Sequence, residues 1–231
     1  MAPIENKIWF LKHCELFSQL SQSQLANLER RSFVKSFPKG APVYLPRENA
    51  DAIYVVASGL LRIGHITTEG KQSTLAIVEA GDIFGEMALV DDTERGEIVE
   101  TLKASRLLRI ERDAIQELLA TDIQISIAFN RILGLRRRRM ERRLKNLLFV
   151  SSHDRLGLLL LDLVEQFGEA SGKGTRIRIR LSHQELANLI GSTRETVTIS
   201  LAKMKREGLL SSERNTLIIK ELEMMKKRFV N

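Results

Sequence analysis

Residues 182–198 read Ser182-His-Gln-Glu-Leu-Ala-Asn-Leu-Ile-Gly-Ser-Thr-Arg-Glu-Thr-Val-Thr198. Ser182 followed three residues later by Glu185 is a capping box, in which each side chain satisfies a backbone N–H that the helix start leaves orphaned. Leu186, Ala187 and Ile190 then recur at helical spacing. Gly191-Ser192 makes a turn, and Thr193-Arg-Glu-Thr196 opens a second helix with Val197, Leu201 and Met204 on its buried face. Two short helices joined through a glycine spell a helix-turn-helix, whose second helix lies in a DNA major groove.

Removing the buried stripe of the second helix leaves Arg194, Glu195, Thr198, Ile199, Ala202 and Lys205 facing outward. An arginine can read guanine O6 and N7 bidentately, and a carboxylate can accept from the cytosine amino group. Both stand in the first turn, the part of a recognition helix that reaches base edges. Ile199 is apolar where a soluble helix usually exposes a polar group, so it packs either on a neighbouring wing or on a thymine methyl. Lys205, at the far end, is placed to meet phosphate. Ser182, Ser192 and Thr193, at the two helix starts, complete the candidate DNA-binding set.

Upstream, residues 176–181 alternate with period two, which predicts a strand with Ile177, Ile179 and Leu181 on one face. Downstream, residues 211–219 alternate through a turn at Arg214-Asn215 and predict a hairpin wing. Residues 156–167 read as a buried helix and 168–174 as a polar loop. Ser151-Ser152-His153-Asp154 reads as a hinge followed by a helix cap. Before it, from Ile110 to Phe149, runs a long segment with no proline and one glycine. Its apolar positions Leu133, Met140, Leu144 and Leu147 are spaced seven, four and three apart, which predicts a helix burying a seam, most often between two copies. Arg136 or Arg137 interrupts that seam.

Nearer the start, residues 7–35 predict one or two short helices, with Ser21 starting the second. Short apolar runs at 42–45, 53–56, 60–63, 75–78 and 107–110 alternate with Gly40, Gly59, Gly64, Gly70, Gly81 and Gly85. Many short strands with closely spaced turn glycines point to a small antiparallel barrel or sandwich. The connections are too short for the helices a parallel sheet requires.

The chain has 231 residues and a formal charge of +7. Residues 1–110 hold 13 basic and 14 acidic side chains, 111–150 hold 9 and 5, and 151–231 hold 14 and 10. The excess positive charge therefore lies in the C-terminal half, which favours a polyanionic partner through counterion release. The densest apolar run, 156–164, is about half of what a membrane span needs. No basic segment leading into an apolar one opens the chain, so the expectation is a cytoplasmic protein with no membrane partner. Cys14, the single cysteine, excludes an internal disulfide and an iron–sulfur cluster. No nucleophile with a neighbouring base, no metal-ligand cluster and no nucleotide-hydrolysing loop is legible, which argues against an enzyme. Haem ligation by His65 or Cys14 has no support in the surrounding residues; His13, His153 and His183 read as surface or cap residues.

With these three parts in one chain, the sequence resembles the cyclic-AMP receptor / fumarate-nitrate-reduction regulator (CRP/FNR) family from Phe17 to Ile219. Residues 182–198 carry the resemblance most specifically. Gly81-Asp-Ile-Phe-Gly-Glu-Met-Ala-Leu89 with Arg95 is similar to the family's phosphate-binding cassette, and residues 141–149 running into Asp154-Arg-Leu156 are similar to its dimer helix and hinge. The resemblance implies an α+β fold: an N-terminal antiparallel β-roll or jelly-roll of the cyclic-nucleotide-binding kind over 1–118, a dimerisation helix over 119–150, and a winged helix-turn-helix over 151–231. It also implies a bacterial homodimeric transcription regulator that binds palindromic double-stranded DNA and acts on RNA polymerase.

The cassette implies effector contacts at Gly85, Glu86, Met87 and Arg95, with Arg136 and Glu141 from the long helix. Gly96 stands where cyclic-nucleotide binders of the family carry a hydroxyl, and Glu97 follows where they carry a small apolar residue. Met140 and Glu141 replace the Thr-Ser pair that holds adenine. Cyclic AMP is thereby disfavoured. The recognition motif is closest to the nitrogen-control branch, whose dicarboxylate effector, 2-oxoglutarate, would suit the guanidinium forks of Arg95 and Arg136. No cofactor is certain: the alternatives are a nucleotide, a 2-oxoglutarate-like anion, or a barrel that binds nothing. Arg95→Ala is expected to abolish ligand stabilisation while leaving the protein folded. The other function class is a nucleotide-binding regulatory module that acts through protein contacts rather than DNA.

Overall fold

A computed structural model of the chain describes residues 6–67, 69–70, 72–90, 94–213 and 216–230. The first five residues and the predicted wing turn at Arg214-Asn215 lie outside them. Contacts divide the chain into two compact units, Met1–Arg137 and Arg138–Asn231.

The first unit opens with α1 (Lys7–His13), a 3-10 turn and α2 (Gln22–Arg30). Ser21 caps α2 through a capping box with Gln24. Then follow β1 (Ser32–Phe37), β2 (Pro42–Tyr44), β3 (Ala52–Ile66), β4 (Gln72–Glu79), β5 (Ile83–Phe84), a 3-10 turn over Glu86–Leu89, and β6 (Ile98–Glu111). Every pairing is antiparallel. The strand order is β1-β6-β3-β4, with β2 added to β6 and β5 to β3. The apolar runs at 53–56 and 60–63, predicted as separate strands, are one 15-residue strand. Gly59 joins them: at φ +113° it passes so close to Ser105 that any Cβ would overlap it.

The period of two in β3 and β6 builds two cores from one pair of strands. Ile53, Val55, Leu108 and Ile110 face a cluster with the flanking helices, including Leu11, Phe17, Leu28, Ile115 and Phe129. Tyr54, Val56, Leu61 and Leu107 face the other way, against Tyr44, Val78, Phe84 and Val99. Cys14 is part of the first cluster, and burial pushes its thiol up to about 11.

The segment after β6, read from sequence as one long element, is two helices: α3 (Arg112–Thr121) and α4 (Ile123–Phe149), bent by 116° at Asp122. The Asp122 carboxylate accepts from the backbone N–H of Gln124 at 3.0 Å and of Ile125 at 3.2 Å, so it restarts the helix. The division between the units falls inside α4, at Arg137/Arg138, rather than at its ends. Among the described residues no single helix is long and apolar enough to cross a membrane.

The second unit continues with α5 (Ser152–Phe167), β7 (Gly168–Ser171), β8 (Gly174–Ile177), α6 (His183–Ile190), α7 (Arg194–Arg206), β9 (Leu210–Glu213), β10 (Thr216–Ile219) and α8 (Leu222–Phe229). The four strands form an antiparallel sheet in the order β7-β8-β10-β9. Two sequence expectations change here. Within 168–174, read as a loop, residues 168–171 are β7 and pair with β8 in a hairpin. The strand expected over 176–181 ends at Ile177, although Ile177 and Ile179 are both buried as that reading required. Helix α8 was not foreseen; its Phe229 ring lies over Gly157 of α5 so closely that a side chain there would collide with it.

Candidate nucleic-acid interface and effector cassette

Helix α6 starts at Ser182, whose hydroxyl accepts from the Glu185 backbone N–H at 3.2 Å while the Glu185 carboxylate accepts from the Ser182 N–H. It ends at Gly191, held at φ +60°, a conformation that costs glycine nothing. Helix α7 starts at Thr193, whose hydroxyl accepts from the Thr196 N–H at 3.2 Å. Its buried face is Val197, Ser200, Leu201 and Met204.

Arg194, Glu195, Thr198 and Ile199 are all exposed, together on one face of α7, and Ser192 is half-buried in the turn. Ile199 is 68% exposed, so within this unit it does not pack on the wing. Hydrogen bonds from its own backbone N–H and from the Thr193 hydroxyl hold the Glu195 carboxyl below the usual carboxylate range, which keeps it an ionised acceptor. The Thr198 hydroxyl donates to the Arg194 carbonyl at 2.9 Å, and His183 Nδ1 lies 2.7 Å from the same oxygen. Lys205 is exposed at the far end of α7, and its ammonium is 2.8 Å from Ser212 Oγ of β9.

Two contacts that support this face were not foreseen from the sequence, although both residues lie in the segments quoted above. His183 was read only as a cap residue, yet it bonds α6 to the recognition helix. Arg155 donates to the carbonyls of Val150 and Ile190 at 2.8 and 3.0 Å. The bond of His183 to Thr198 spans 15 residues and that of Arg155 to Ile190 spans 35, so neither contact shows within one element of the sequence.

In the first unit the cassette residues come together, but their charges are turned on one another. Gly85 takes φ +77° at the head of the 3-10 turn. Glu86 pairs with Arg136 of α4 at 2.6 Å, and the same guanidinium donates to the Ile83 carbonyl. Arg95 is only 4% exposed. It donates to the carbonyls of Gly85 at 3.0 Å and Ala52 at 2.5 Å, with its guanidinium 4.4 Å from the centre of the Tyr44 ring. The Tyr44 hydroxyl donates to Glu97 at 2.7 Å; burial first, and then this carboxylate, push the phenol far above its ordinary range. The Glu97 carboxylate thus has a partner of its own. One expectation changes. Arg95 is a buried donor, so Arg95→Ala would take one hydrogen bond from each of two carbonyls, of which Gly85 still accepts from the Ala88 N–H at 3.2 Å, and is expected to cost stability. Glu141 and Met140 lie on the part of α4 that falls in the second unit. Met87 is exposed.

Of the four seam positions, Leu133 packs against the first core cluster. Met140, Leu144 and Leu147 are 55%, 59% and 47% exposed.

Comparison with known proteins matches residues 34–122 to the cyclic nucleotide-binding domain and residues 154–228 to the Crp-like helix-turn-helix domain. The chain is 30% identical over 218 residues to the "CRP-like cAMP-activated global transcriptional regulator" of Mycobacterium tuberculosis, covering 94% of this chain and 97% of that one. It is 23% identical over 198 residues to the "Global nitrogen regulator" of a Nostoc species, covering 85% and 89%, so the nitrogen-control branch is not singled out. Among solved structures, the "c-di-GMP Responsive Global Regulator CLP" of Xanthomonas campestris superposes with a TM-score of 0.74 at 26% identity, covering 87% of this chain and all of that one. With an antiparallel effector-domain sheet, a long helix and an exposed recognition helix in one chain, this protein belongs to the CRP/FNR family of DNA-binding transcription regulators.

Proposed function

We propose that the protein works in the cytoplasm as a homodimer that reads a palindromic DNA site. The observation that carries this reading is the exposed ridge Arg194, Glu195, Thr198 and Ile199 on the first turns of α7. Arg194 takes a guanine of each half-site, Glu195 accepts from a cytosine amino group, and Ile199 meets a thymine methyl. The unburied apolar side chains of Met140, Leu144 and Leu147 support a helix–helix dimer seam. A two-fold dimer places half-sites about one helical turn, roughly 34 Å, apart. RNA polymerase is the partner such a bound dimer would engage.

Selection from random DNA tests the reading. The expected result is a palindromic consensus whose guanine preference relaxes in Arg194→Ala; a non-palindromic or unchanged consensus sinks it. A barrel module working through protein contacts alone would give no consensus at all.

The effector, where there is one, is a small anion that must compete with bonds already made. It has to draw Arg136 from Glu86, or Arg95 from two carbonyls. Although the mycobacterial relative is named for activation by cyclic AMP, Gly96 offers no hydroxyl here and the adenine-holding pair is absent, which disfavours that nucleotide. Melting curves with cyclic nucleotides and with 2-oxoglutarate separate the alternatives, since a ligand at 100 times its Kd raises stability by about 2.7 kcal/mol. No shift with any of them favours an effector-free barrel.

A further inference from the structure

Arg155 stands in the first turn of α5 and touches none of the outward face of α7 through any hydrogen bond of its side chain. Its guanidinium spends its donors on four acceptors. Nε donates to the Ile190 carbonyl at 3.0 Å, Nη1 to the Val150 carbonyl at 2.8 Å, and Nη2 to Ser152 Oγ at 3.1 Å and the Gly191 carbonyl at 3.4 Å. Among the described residues Arg155 forms no ion pair. Val150 immediately follows α4, and Ile190 and Gly191 are the last residue and the cap of α6. Carbonyls at a helix end have no partner within the helix and carry partial negative charge. A planar fork with five donors in fixed geometry can collect several of them at once, which a lysine ammonium cannot do equally well.

The same turn is gripped from a second side. Leu147, in the last turn of α4, lies so close to Gly191 that a Cβ built there would come within 2.9 Å of Leu147 Cδ2. Gly191 is two residues before Thr193, the cap of the recognition helix. The end of α4 is thus joined to the turn that aims α7 by an arginine clamp on one side and a leucine on the other. The arginine carries the coupling, because its bonds to Val150 and to the end of α6 hold both elements at once, while Leu147 packs beside the exposed turn. A displacement of the α4 end therefore carries the entry of α7 with it or breaks these bonds.

We propose that Arg155 is a positioning residue through which the end of the long helix sets the aim of the recognition helix, without contacting DNA. The proposal rests on α7 reading bases. Its test uses the full chain with Arg155→Gln and Arg155→Lys. Binding to the selected palindrome and to random duplex is measured over a salt series, and amide exchange at residues 190–196 is measured without DNA. With Arg155→Gln, affinity for the palindrome should fall about tenfold or more, on the scale of a mismatched base pair or worse. Random-duplex affinity and the salt slope should stay as in wild type, and exchange at 190–196 should quicken while the α5 core stays protected. Arg155→Lys, which keeps the charge, should restore little.

A salt slope lowered by about one unit with Arg155→Gln, and recovered with Arg155→Lys, would instead make Arg155 a phosphate contact and overturn the proposal. A parallel loss of both affinities together with the melting temperature would reduce it to a fold-supporting residue. Should Arg155→Gln fail to fold, Arg155→Lys is read on the same scales. Unchanged exchange at 190–196 also overturns the proposal. Because exchange needs no DNA, a wild-type protein with no site preference would count against base reading and leave the Arg155 result standing.

Discussion

The effector cassette and the recognition helix use the same two residue types in opposite ways. In the cassette, Glu86 is paired with Arg136, and Arg95 is buried on two carbonyls above the Tyr44 ring. On α7, Arg194 and Glu195 stand exposed, and the carboxylate of Glu195 is oriented only by its neighbours in the same turn. A buried charge must be satisfied from within, because stripping its water without replacement costs far more than the fold can spare. A charge kept in water carries no such debt and stays available to a partner. The difference teaches that a cassette motif can be kept for architecture, whereas a recognition helix holds its reading groups away from the core.

The most severe way to break this contrast is at the exposed seam of α4. Leu144→Asp would place a carboxylate where the proposed dimer buries an apolar stripe, at a cost of about 3–5 kcal/mol. Sedimentation should show monomers, and binding to the palindrome should vanish; a dimeric variant would move the seam elsewhere. Next comes Arg95→Ala, which takes the guanidinium bonds from the Gly85 and Ala52 carbonyls, the former still accepting from Ala88, and removes the stack on Tyr44. Chemical denaturation should report a loss of about 2–4 kcal/mol. A variant as stable as wild type would mean that Arg95 is free to serve a ligand, and the contrast between the regions would collapse.

Arg194→Ala sharpens the other side. It should cost about 1–3 kcal/mol of binding per half-site, relax the guanine preference, and leave the melting temperature unchanged. The smallest effect concerns His153, whose Nε2 is buried without a hydrogen-bond partner beside Phe229. Burial, and then the charge of Lys203, hold its pKa below the ordinary histidine value. A depressed histidine pKa means that the folded form binds fewer protons than the unfolded chain. Its stabilising contribution is therefore present above the ordinary value of about 6.5 and is lost as pH falls through the folded value. Melting of the full protein should show a modest decline between about pH 7 and 5 that His153→Leu flattens.

Much of the interface was legible because its determinants are local. A capping box, a turn glycine and a stripe at i, i+4 and i+7 each lie within one or two helical turns. Residues 182–204 therefore specified both helices and the face that is left outward. The cassette was legible only as a list of residues. That Glu86 meets Arg136, that Arg95 turns inward, and that Glu97 finds Tyr44 depend on pairs about 40 to 53 positions apart, except for the contact of Arg95 with Gly85.

By itself, then, the sequence determined the elements whose signals repeat within a few residues. These are the antiparallel strands between turn glycines, the helix-turn-helix, the wing strands and the outward position of Arg194 and Glu195. Tertiary structure alone decided where neighbouring elements merge or break. Gly59 joins two apolar runs into one strand because Ser105 approaches it too closely for a side chain, and Asp122 splits one helical run because its carboxylate caps the next. It also decided which charges are spent within the fold. The Arg155 clamp on Val150, Ile190 and Gly191 and the inward turn of Arg95 arise where distant carbonyls converge. The physical reason is the reach of the signal: hydrophobic period and capping act within one element, while satisfying a buried polar group is a property of the packed whole.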